Sequence, residues 1–368
     1  MDHQIFDMQK YGGISRYFSN IDQYLKEDTT YENQISILKT NNYYLRDRVF
    51  SKNPFIKYKL RRQKKQLRYN RKYSIKKIQA NDFDVFHPTY YDPYFLENLR
   101  KPFVLTIHDM IHERFPEYFA PYDEFARFKR LTINKADHFI AISETTKHDL
   151  QYYYEIPDEK ISVIYHGVEI SEKNHQARLG EVNFPYILFI GDRFGYKNFF
   201  NFIRAFKSLS QANKDIKIIC TGSSFNPVEL EFLLRSGISK NIVQLSVTDQ
   251  ELDSLYQHAL FYINPSLLEG FGFPILEAFR NECLTLLSDT SCFHEIAGNA
   301  AMYFNPLSVD DIGQCMLNAL SDPIKKQDFQ TRGINQLMKF PLEKSMIETK
   351  EVYKLVLNKA KFATSMLP

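Results

Sequence analysis

The stretch EGFGFPILEAF, Glu269 to Phe279, sets two carboxylates eight positions apart and fills the gap with glycine, aromatic residues and proline. Just before it, LFYIN ends at Asn264 as a short apolar run of strand type, and PSLLEGFG follows as a loop. Pro274 suits the first turn of a helix, where its missing amide costs nothing. The reading is strand, glycine-bearing loop, helix, the unit from which helix-covered parallel sheets are built. Glu269 then lies in the loop at the carboxyl end of the strand, and Glu277 lies one turn inside the helix. Helical side chains lean toward the N-terminus, so Glu277 points back toward whatever the loop amides hold. Gly270 and Gly272 admit close backbone approach to phosphate or sugar. Plain helix capping is the alternative, worth about 0.3 to 1 kcal/mol for acids near a helix start, but capping leaves the glycine pair unexplained. An acid and base pair of the glycosidase kind is a further reading of two carboxylates. The strand before them and Pro274 between them argue against it.

The same rhythm runs outward along the chain. In the second half, strands are expected at Tyr186–Ile190, Ile216–Cys220, Ile242–Leu245, Leu260–Asn264, Leu284–Leu287 and Met302–Phe304. In the first half they are expected at Gln34–Leu38, Asp84–Phe86, Phe103–Ile107, His138–Ile142 and Ile161–Ile164, with helical patterns between most of them. Between the halves, VEISEKNHQARLGEVNFP loses periodicity and ends in Pro185, which places a boundary near Ser171 to Phe184. A length of 368 residues exceeds what one core usually accommodates. The expected fold class is α/β, with two doubly wound Rossmann-like domains. Their ligands belong in a central cleft that the carboxyl ends of both sheets face.

With 44% hydrophobic residues the chain has the means to bury two cores, which excludes a disordered reading. Cys220, Cys283, Cys292 and Cys315 fit no zinc or disulfide spacing, and nothing at the N-terminus reads as a signal peptide. A reducing cytoplasm is the expected location. The longest apolar runs, such as YILFI and ALFYI, are strand-sized, so any membrane association is expected to be peripheral.

The formal charge of +3 hides an asymmetry, because Arg46 to Lys77 holds fourteen Lys and Arg against the single Asp47. Ile56, Leu60, Leu67, Ile75 and Ile78 recur at roughly helical spacing and predict a narrow apolar stripe on a cationic helix. Such a helix is either a solvated face or a docking surface for anionic lipid head groups or a lipid-linked phosphate. Nucleic-acid binding is a third reading, and it leaves the loop motifs without a role.

Two further loops carry candidate chemistry. KYGGISRYF places Gly12 and Gly13 before a helix with an apolar face of Ile14, Tyr17, Phe18, Ile21 and Leu25. The glycine pair is a plain turn or a phosphate cradle at a helix N-terminus. Almost no strand precedes it, only MDHQIF. FIGDRFGYKNF follows the strand Tyr186–Ile190 and leads into a helix, Asn198 to Leu209. Arg193 and Lys197 are expected to reach one point, where two cations would neutralise a departing diphosphate.

Taken together, EGFGFPILEA, GGISRYF, HPTYYDPYF, VLTIHDMIHERFPEYF, AISETTKHDL, VIYHGV, GYKNFFNFIRAF and EIAGNAAMYF resemble, in order, the motifs of retaining nucleotide-sugar glycosyltransferases of family 4, which have the GT-B fold. The resemblance covers essentially the whole chain. It implies a domain of residues 1–170 on the acceptor side, a nucleotide-sugar domain of residues 171–344, and a helix in 345–368 that crosses back to the first domain. It implies hexose transfer with retention, and neither a cofactor nor an obligatory metal.

The resemblance also assigns roles. Glu269 meets hydroxyls of the donor sugar, and His108 stands near the transferring sugar. Taken alone, His108 reads more simply as a hydrogen-bonded structural residue. Arg193, Lys197, Gly13, Gly270, Phe271 and Gly272 attend the donor diphosphate, and Glu277 holds the ribose. Asp109 beside His108 orients that region. The base is expected near Ser246 and Val247. With no nucleophile evident on the far face of the sugar, same-face displacement is the expected mechanism. The implied partners are a nucleotide-diphosphate sugar, GDP-mannose first and uracil donors close behind, and a lipid-linked saccharide acceptor on the inner face of a bacterial plasma membrane. No nucleic acid is expected. A sugar-nucleotide epimerase is the enzymatic rival.

Overall fold

The computed structural model describes residues 1–46, 48, 63–170 and 182–365. The chain forms two compact units, one of Met1–His166 with Glu343–Pro368 and one of Gly167–Leu342. The division thus falls at residue 166 rather than 170, and the chain returns to the first unit at 343 rather than 345. The expected linker of residues 171–184 lies outside the described residues from 171 to 181.

The first unit holds a parallel sheet in the order β1 (Val104–Ile107), β2 (His138–Ala141), β3 (Ile161–Val163). β1 and β2 are buried along their whole length, as parallel strands covered on both faces must be. On one face Val352 and Val356 of the Leu342–Ser365 helix pack with Val104, Ile140 and Ile164. Another cluster gathers Phe95, Phe103, Leu105, Ile133, Phe139 and Leu150.

Two expected strands do not form. Asp84–Phe86 makes only an isolated bridge between Phe86 and Phe103. Gln34–Leu38 joins no ladder, because its backbone is engaged elsewhere. Leu38 N–H donates to Asn70 Oδ1 at 2.9 Å, Ser74 Oγ donates to the Ser36 carbonyl at 2.7 Å, and Ser36 N–H donates to the Met1 carbonyl at 2.9 Å. MDHQIF is likewise no strand, and Gln4–Met8 is a short helix.

The basic segment forms a helix over Gln63–Ala80. Of the expected apolar stripe, Ile78 is buried in the cluster with Phe86 and Phe95 and Ile75 packs against it, whereas Leu67 stays outside the packed face. Leu67 is 48% exposed, while Ile56 and Leu60 lie outside the described residues. The buried positions are Gln66, Asn70, Ser74 and Ile78, four apart, so they share one side of the helix. That side docks through polar bonds. Gln66 Nε2 and Asn70 Nδ2 each donate to Asp7 Oδ1 at 2.9 Å, and Ser74 Oγ lies 2.8 Å from His3 Nδ1. Apart from Ile78 this side is polar, with hydrogen-bond partners in the facing segments, which hydropathy spacing does not register.

The second unit carries six parallel strands, β4 (Tyr186–Ile190), β5 (Lys217–Thr221), β6 (Ile242–Leu245), β7 (Phe261–Asn264), β8 (Thr285–Ser288) and β9 (Met302–Phe304). Their order is β6-β5-β4-β7-β8-β9. Phe199, Phe202 and Phe206 of the Phe199–Ala212 helix share a core with Ile187, Phe189 and Ile218. The chain leaves β4 toward β5 and β6, then returns to lay β7 on its other side. Strand order therefore reverses between β4 and β7, paired through Ile187 with Phe261 and Leu188 with Tyr262. Ligands of such sheets bind beyond the carboxyl ends at this reversal, where the loops after β4 and β7 meet.

Candidate functional site

The loop after β7 is built from its own side chains. Asn264 ends the strand, and its Oδ1 accepts from the Ser266 amide at 3.2 Å and lies 2.6 Å from Ser266 Oγ. Ser266 Oγ also stands 2.8 Å from Glu269 Oε1. The fully buried Ser266 thus ties the end of the strand to the first glutamate. Gly272 caps the Phe273–Arg280 helix with φ +105°, a conformation that L side chains rarely adopt, and a Cβ there would sit 2.9 Å from Ile275 Cδ1. Pro274 stands in the first turn of this helix and Glu277 one turn further in, as the spacing requires. Phe271 buries its ring against Phe273 and Phe340, and its carbonyl accepts from the Cys292 thiol at 3.5 Å. Any ligand contact by Phe271 therefore falls to its main chain.

Glu277 is buried and accepts from Tyr256 Oη at 3.2 Å through Oε2. The same hydroxyl lies 3.0 Å from the Pro274 carbonyl. Burial, with the Glu277 charge second, raises the Tyr256 pKa well above its ordinary value, so this phenol stays a donor.

The loop after β4 meets the loop after β7 directly. Leu267 N–H donates to the Tyr196 carbonyl at 2.8 Å, and Lys197 Nζ donates to Glu269 Oε1 at 2.6 Å. Arg193 does not converge on this point as the sequence led us to expect. Its Nε donates to Glu229 Oε1 at 3.1 Å, and its Nη2 donates to the Ser223 carbonyl at 2.6 Å and the Ser224 carbonyl at 3.1 Å. Its guanidinium lies 4.5 Å from the Phe225 ring centre. The physical reason is Glu229, a buried carboxylate that needs a cation. Glu229 also closes a capping box with Asn226 at the start of the Pro227–Ser236 helix. Arg193 Nη1 is buried with no hydrogen-bond partner among the described residues. Beside it lies a cavity of about 700 Å³ bounded by Phe194, Phe200, Val228 and Glu229.

In the first unit, His108 follows β1 and is 7% exposed. Its amide donates to Tyr91 Oη at 3.0 Å, and its ring lies 5.8 Å from Tyr17 and 6.1 Å from His166. Burial lowers its pKa to about 4, so the imidazole is neutral at neutral pH. His108 Nδ1 is buried without a hydrogen-bond partner among the described residues. Gly13 begins the Gly13–Glu27 helix. Ile14 of the expected apolar face is only half-buried, while Tyr17, Phe18, Ile21 and Leu25 are buried. At the start of this helix Gln9 Oε1 accepts the Ser15 amide at 3.2 Å.

Ser266, Tyr256, Glu229 and Gln9 were not singled out in the sequence. Only Glu229 left a signal there, the capping pattern Asn226-Pro227-Val228-Glu229. Among the described residues no three His, Cys, Asp or Glu side chains gather so as to hold a metal ion, and no helix is long and apolar enough to cross a membrane.

Residues 11–172 match the model of Glycosyltransferase Family 4, and residues 171–336 match that of Glycosyl transferases group 1. The O-antigen chain mannosyltransferase RfbU of Salmonella typhimurium is 29% identical over 203 residues, 55% of this chain and 56% of that protein. The serotype-specific mannosyltransferase WbdA of Escherichia coli is 28% identical over 255 residues, 64% of this chain and 31% of that protein. The chain thus spans little more than half of the first relative and under a third of the second. Among solved structures, Anabaena Alr3699/HepE in complex with UDP and glucose superposes with TM-score 0.71 at 16% identity, covering 93% of this chain and 96% of that one. WaaG, a glycosyltransferase involved in lipopolysaccharide biosynthesis, gives TM-score 0.70 at 14% identity, covering 94% and 96%. Two α/β units with parallel sheets, a loop constellation at the strand reversal and matches along nearly the whole sequence agree: the chain belongs to the family 4 glycosyltransferases, with the GT-B fold.

Proposed function

We propose that this chain moves a hexose, mannose first, from a nucleotide-diphosphate donor to a lipid-linked saccharide in bacterial surface-polysaccharide assembly, with retention at the anomeric carbon. The observation that carries the reading is the Lys197–Glu269–Ser266 chain at the β4/β7 reversal, with Glu277 one turn into the helix that follows. The mannosyltransferase names of RfbU and WbdA support the sugar. The lipopolysaccharide role in the name of WaaG supports the setting.

On this reading Lys197 leaves Glu269 for the diphosphate and neutralises the charge of the departing nucleotide. Glu269, freed of its cation and still held by Ser266, accepts hydroxyls of the donor sugar. Glu277, oriented by Tyr256, accepts the ribose hydroxyls. Gly270, Phe271 and Gly272 offer main-chain contacts to the phosphates, and Arg193 holds the loop after β5 through the Ser223 and Ser224 carbonyls. In the first unit, neutral His108 carries Nδ1 as a hydrogen-bonding atom for a sugar hydroxyl, and Gly13 opens a helix whose start suits a phosphate. No side chain is assigned as nucleophile, so the acceptor enters on the leaving-group face and the diphosphate helps take its proton. No step is assigned to a metal.

The exposed face of the Gln63–Ala80 helix carries Lys64, Lys65, Arg68, Arg71, Lys72 and Lys76 together with Leu67 and Tyr69. This mixture supports docking on an anionic membrane surface, where the acceptor lipid resides.

The test incubates the purified chain with GDP-mannose, UDP-glucose and other nucleotide sugars, with and without a lipid-linked saccharide. Product linkage is read by proton NMR of the anomeric signal. Acceptor-dependent transfer with retained configuration is expected. An epimerised donor in the absence of acceptor would overturn the reading in favour of the epimerase, and an inverted product or trapped sugar adduct would overturn the mechanism.

A further inference from the structure

We propose that Lys129 is a positioning residue for His108, fixing the turn that presents the imidazole. The proposal rests on the reading of His108 as the group beside the transferring sugar. Lys129 lies on the Glu124–Ile133 helix and is 0% exposed. Lysine is almost never fully buried unless its charge is paired. Its Nζ donates to the Asp109 carbonyl at 2.7 Å and to Glu113 Oε2 at 2.8 Å, and lies 4.0 Å from Asp109 Oδ1. It also stands 5.7 Å from the centre of the Tyr91 ring, and Tyr91 Oη accepts the His108 amide at 3.0 Å.

Every one of these contacts ends on the segment that follows β1 or on the tyrosine that holds it. Two consecutive main-chain groups, His108 N–H and Asp109 C=O, are gripped by Tyr91 and Lys129. Glu113 completes the arrangement, since its Oε1 accepts from Tyr154 Oη at 2.7 Å and its position is thereby fixed from a third element. The Asp109 carboxylate is turned aside to accept the Ile111 amide at 3.1 Å.

A buried apolar side chain would fill the same volume, so packing does not account for an ammonium here. An ammonium supplies two things that packing does not. It fixes the direction of a carbonyl adjoining His108, and it places a fixed positive charge near the imidazole. The charged and titratable groups around His108 are Asp109 on its own turn, Lys129, Tyr17 from the Gly13–Glu27 helix, Tyr91, His87 and His166. Asp109 favours the protonated imidazole and Lys129 opposes it. Lys129 therefore acts on the placement and on the charge state of the same ring.

The experiment uses Lys129→Met combined with Glu113→Gln, which removes the cation without stranding the carboxylate, and Lys129→Arg as the conservative partner. Two readouts are taken: kcat and donor KM in sugar transfer, and the ring signals of His108 by NMR of histidine-labelled protein over a pH series. The double variant should lose about 10²-fold in kcat, the cost of a misplacement near 1 Å, with donor KM nearly unchanged. The His108 titration midpoint should rise, and Lys129→Arg should recover part of the rate. A folded double variant with wild-type kcat overturns the proposal, and so does a fall in kcat with His108 signals and titration unmoved. If the double variant does not fold, Lys129→Arg decides by the same two readouts, with unmoved His108 signals refuting. If the wild-type chain transfers no sugar, the NMR arm still decides: altered His108 signals then sink only the functional reading, and unaltered signals sink this proposal.

Discussion

Lys197→Ala separates a catalytic cation from a structural one. In the structure Lys197 donates to Glu269 at 2.6 Å with side chains 21% and 15% exposed. A charge-assisted hydrogen bond contributes about 1.5 to 3 kcal/mol, and partial exposure reduces this toward about 1 to 2 kcal/mol through solvent screening. For a unit of this size each kcal/mol corresponds to about 2 to 4 °C in Tm, so the variant should melt about 2 to 8 °C lower. The functional loss is set by a different quantity. Removing a preorganised donor from charge that develops in the transition state costs about 10² to 10³ in rate, or about 2.7 to 4 kcal/mol. The assay is initial-rate sugar transfer well below the melting transition, paired with thermal unfolding and with nucleotide-diphosphate binding by calorimetry. We expect kcat/KM to fall by about 10²-fold or more while the protein remains folded, and diphosphate affinity to weaken by about 10-fold or more from loss of one charged contact. A folded variant with wild-type kcat/KM would refute the site. A variant whose rate loss matches its unfolded fraction would reduce Lys197 to a structural partner of Glu269.

His108 has a folded pKa of about 4 against 6.5 for the free side chain, so its stabilising contribution is present above pH 6.5 and is lost as pH falls toward 4, by about 3 kcal/mol. Denaturant unfolding at pH 7 and pH 4.5 should show His108→Gln losing less stability than the wild type, and equal losses would refute the assignment. Asn70→Leu strands the Leu38 amide and removes a donor from the Lys39 carbonyl and from the Asp7 carboxylate, and should cost about 3 to 5 kcal/mol in equilibrium unfolding. A loss below about 1 kcal/mol would mean the polar stripe does not hold the helix. Reversing Lys64, Lys65, Arg68 and Lys72 to glutamate should remove at least about 4 kcal/mol of attraction to acidic vesicles and leave sedimentation with neutral vesicles unchanged; retention on acidic vesicles refutes the docking face. Chelator should leave donor turnover at the wild-type level, and a loss restored by divalent cation would require a metal in the reaction.

Much of the second unit was readable because its strands are mainly apolar runs. YILFI was placed at Tyr186–Ile190 and observed there, as were Ile242–Leu245 and Met302–Phe304. A strand covered on both faces, such as Tyr186–Ile190, must be apolar along its length, so composition marks it, whereas the half-buried edge strand Ile242–Leu245 admits Gln244. The first unit was harder. Ile35 and Ile37 are buried as a strand would require, yet their segment is anchored by Asn70 and Ser74 from far along the chain. Side-chain to backbone bonds across such distances leave no periodic trace.

The site divides in the same way. The glycines, Pro274 and the two glutamates are a local pattern, and local backbone rules placed Glu269 in a loop and Glu277 one turn into a helix. Whether Lys197 faces Glu269, and whether Arg193 joins it, depends on which strands lie side by side and which buried acid needs a cation. The sequence by itself determined most of the elements, the family and the candidate side chains of the site, since these follow from short-range propensity and motif. Tertiary structure alone decided the pairings: Lys197 with Glu269, Arg193 with Glu229, Lys129 with the Asp109 turn. Each pairing balances the desolvation of a charge against a partner delivered by a distant segment, and only the folded arrangement of the strands and helices delivers that partner.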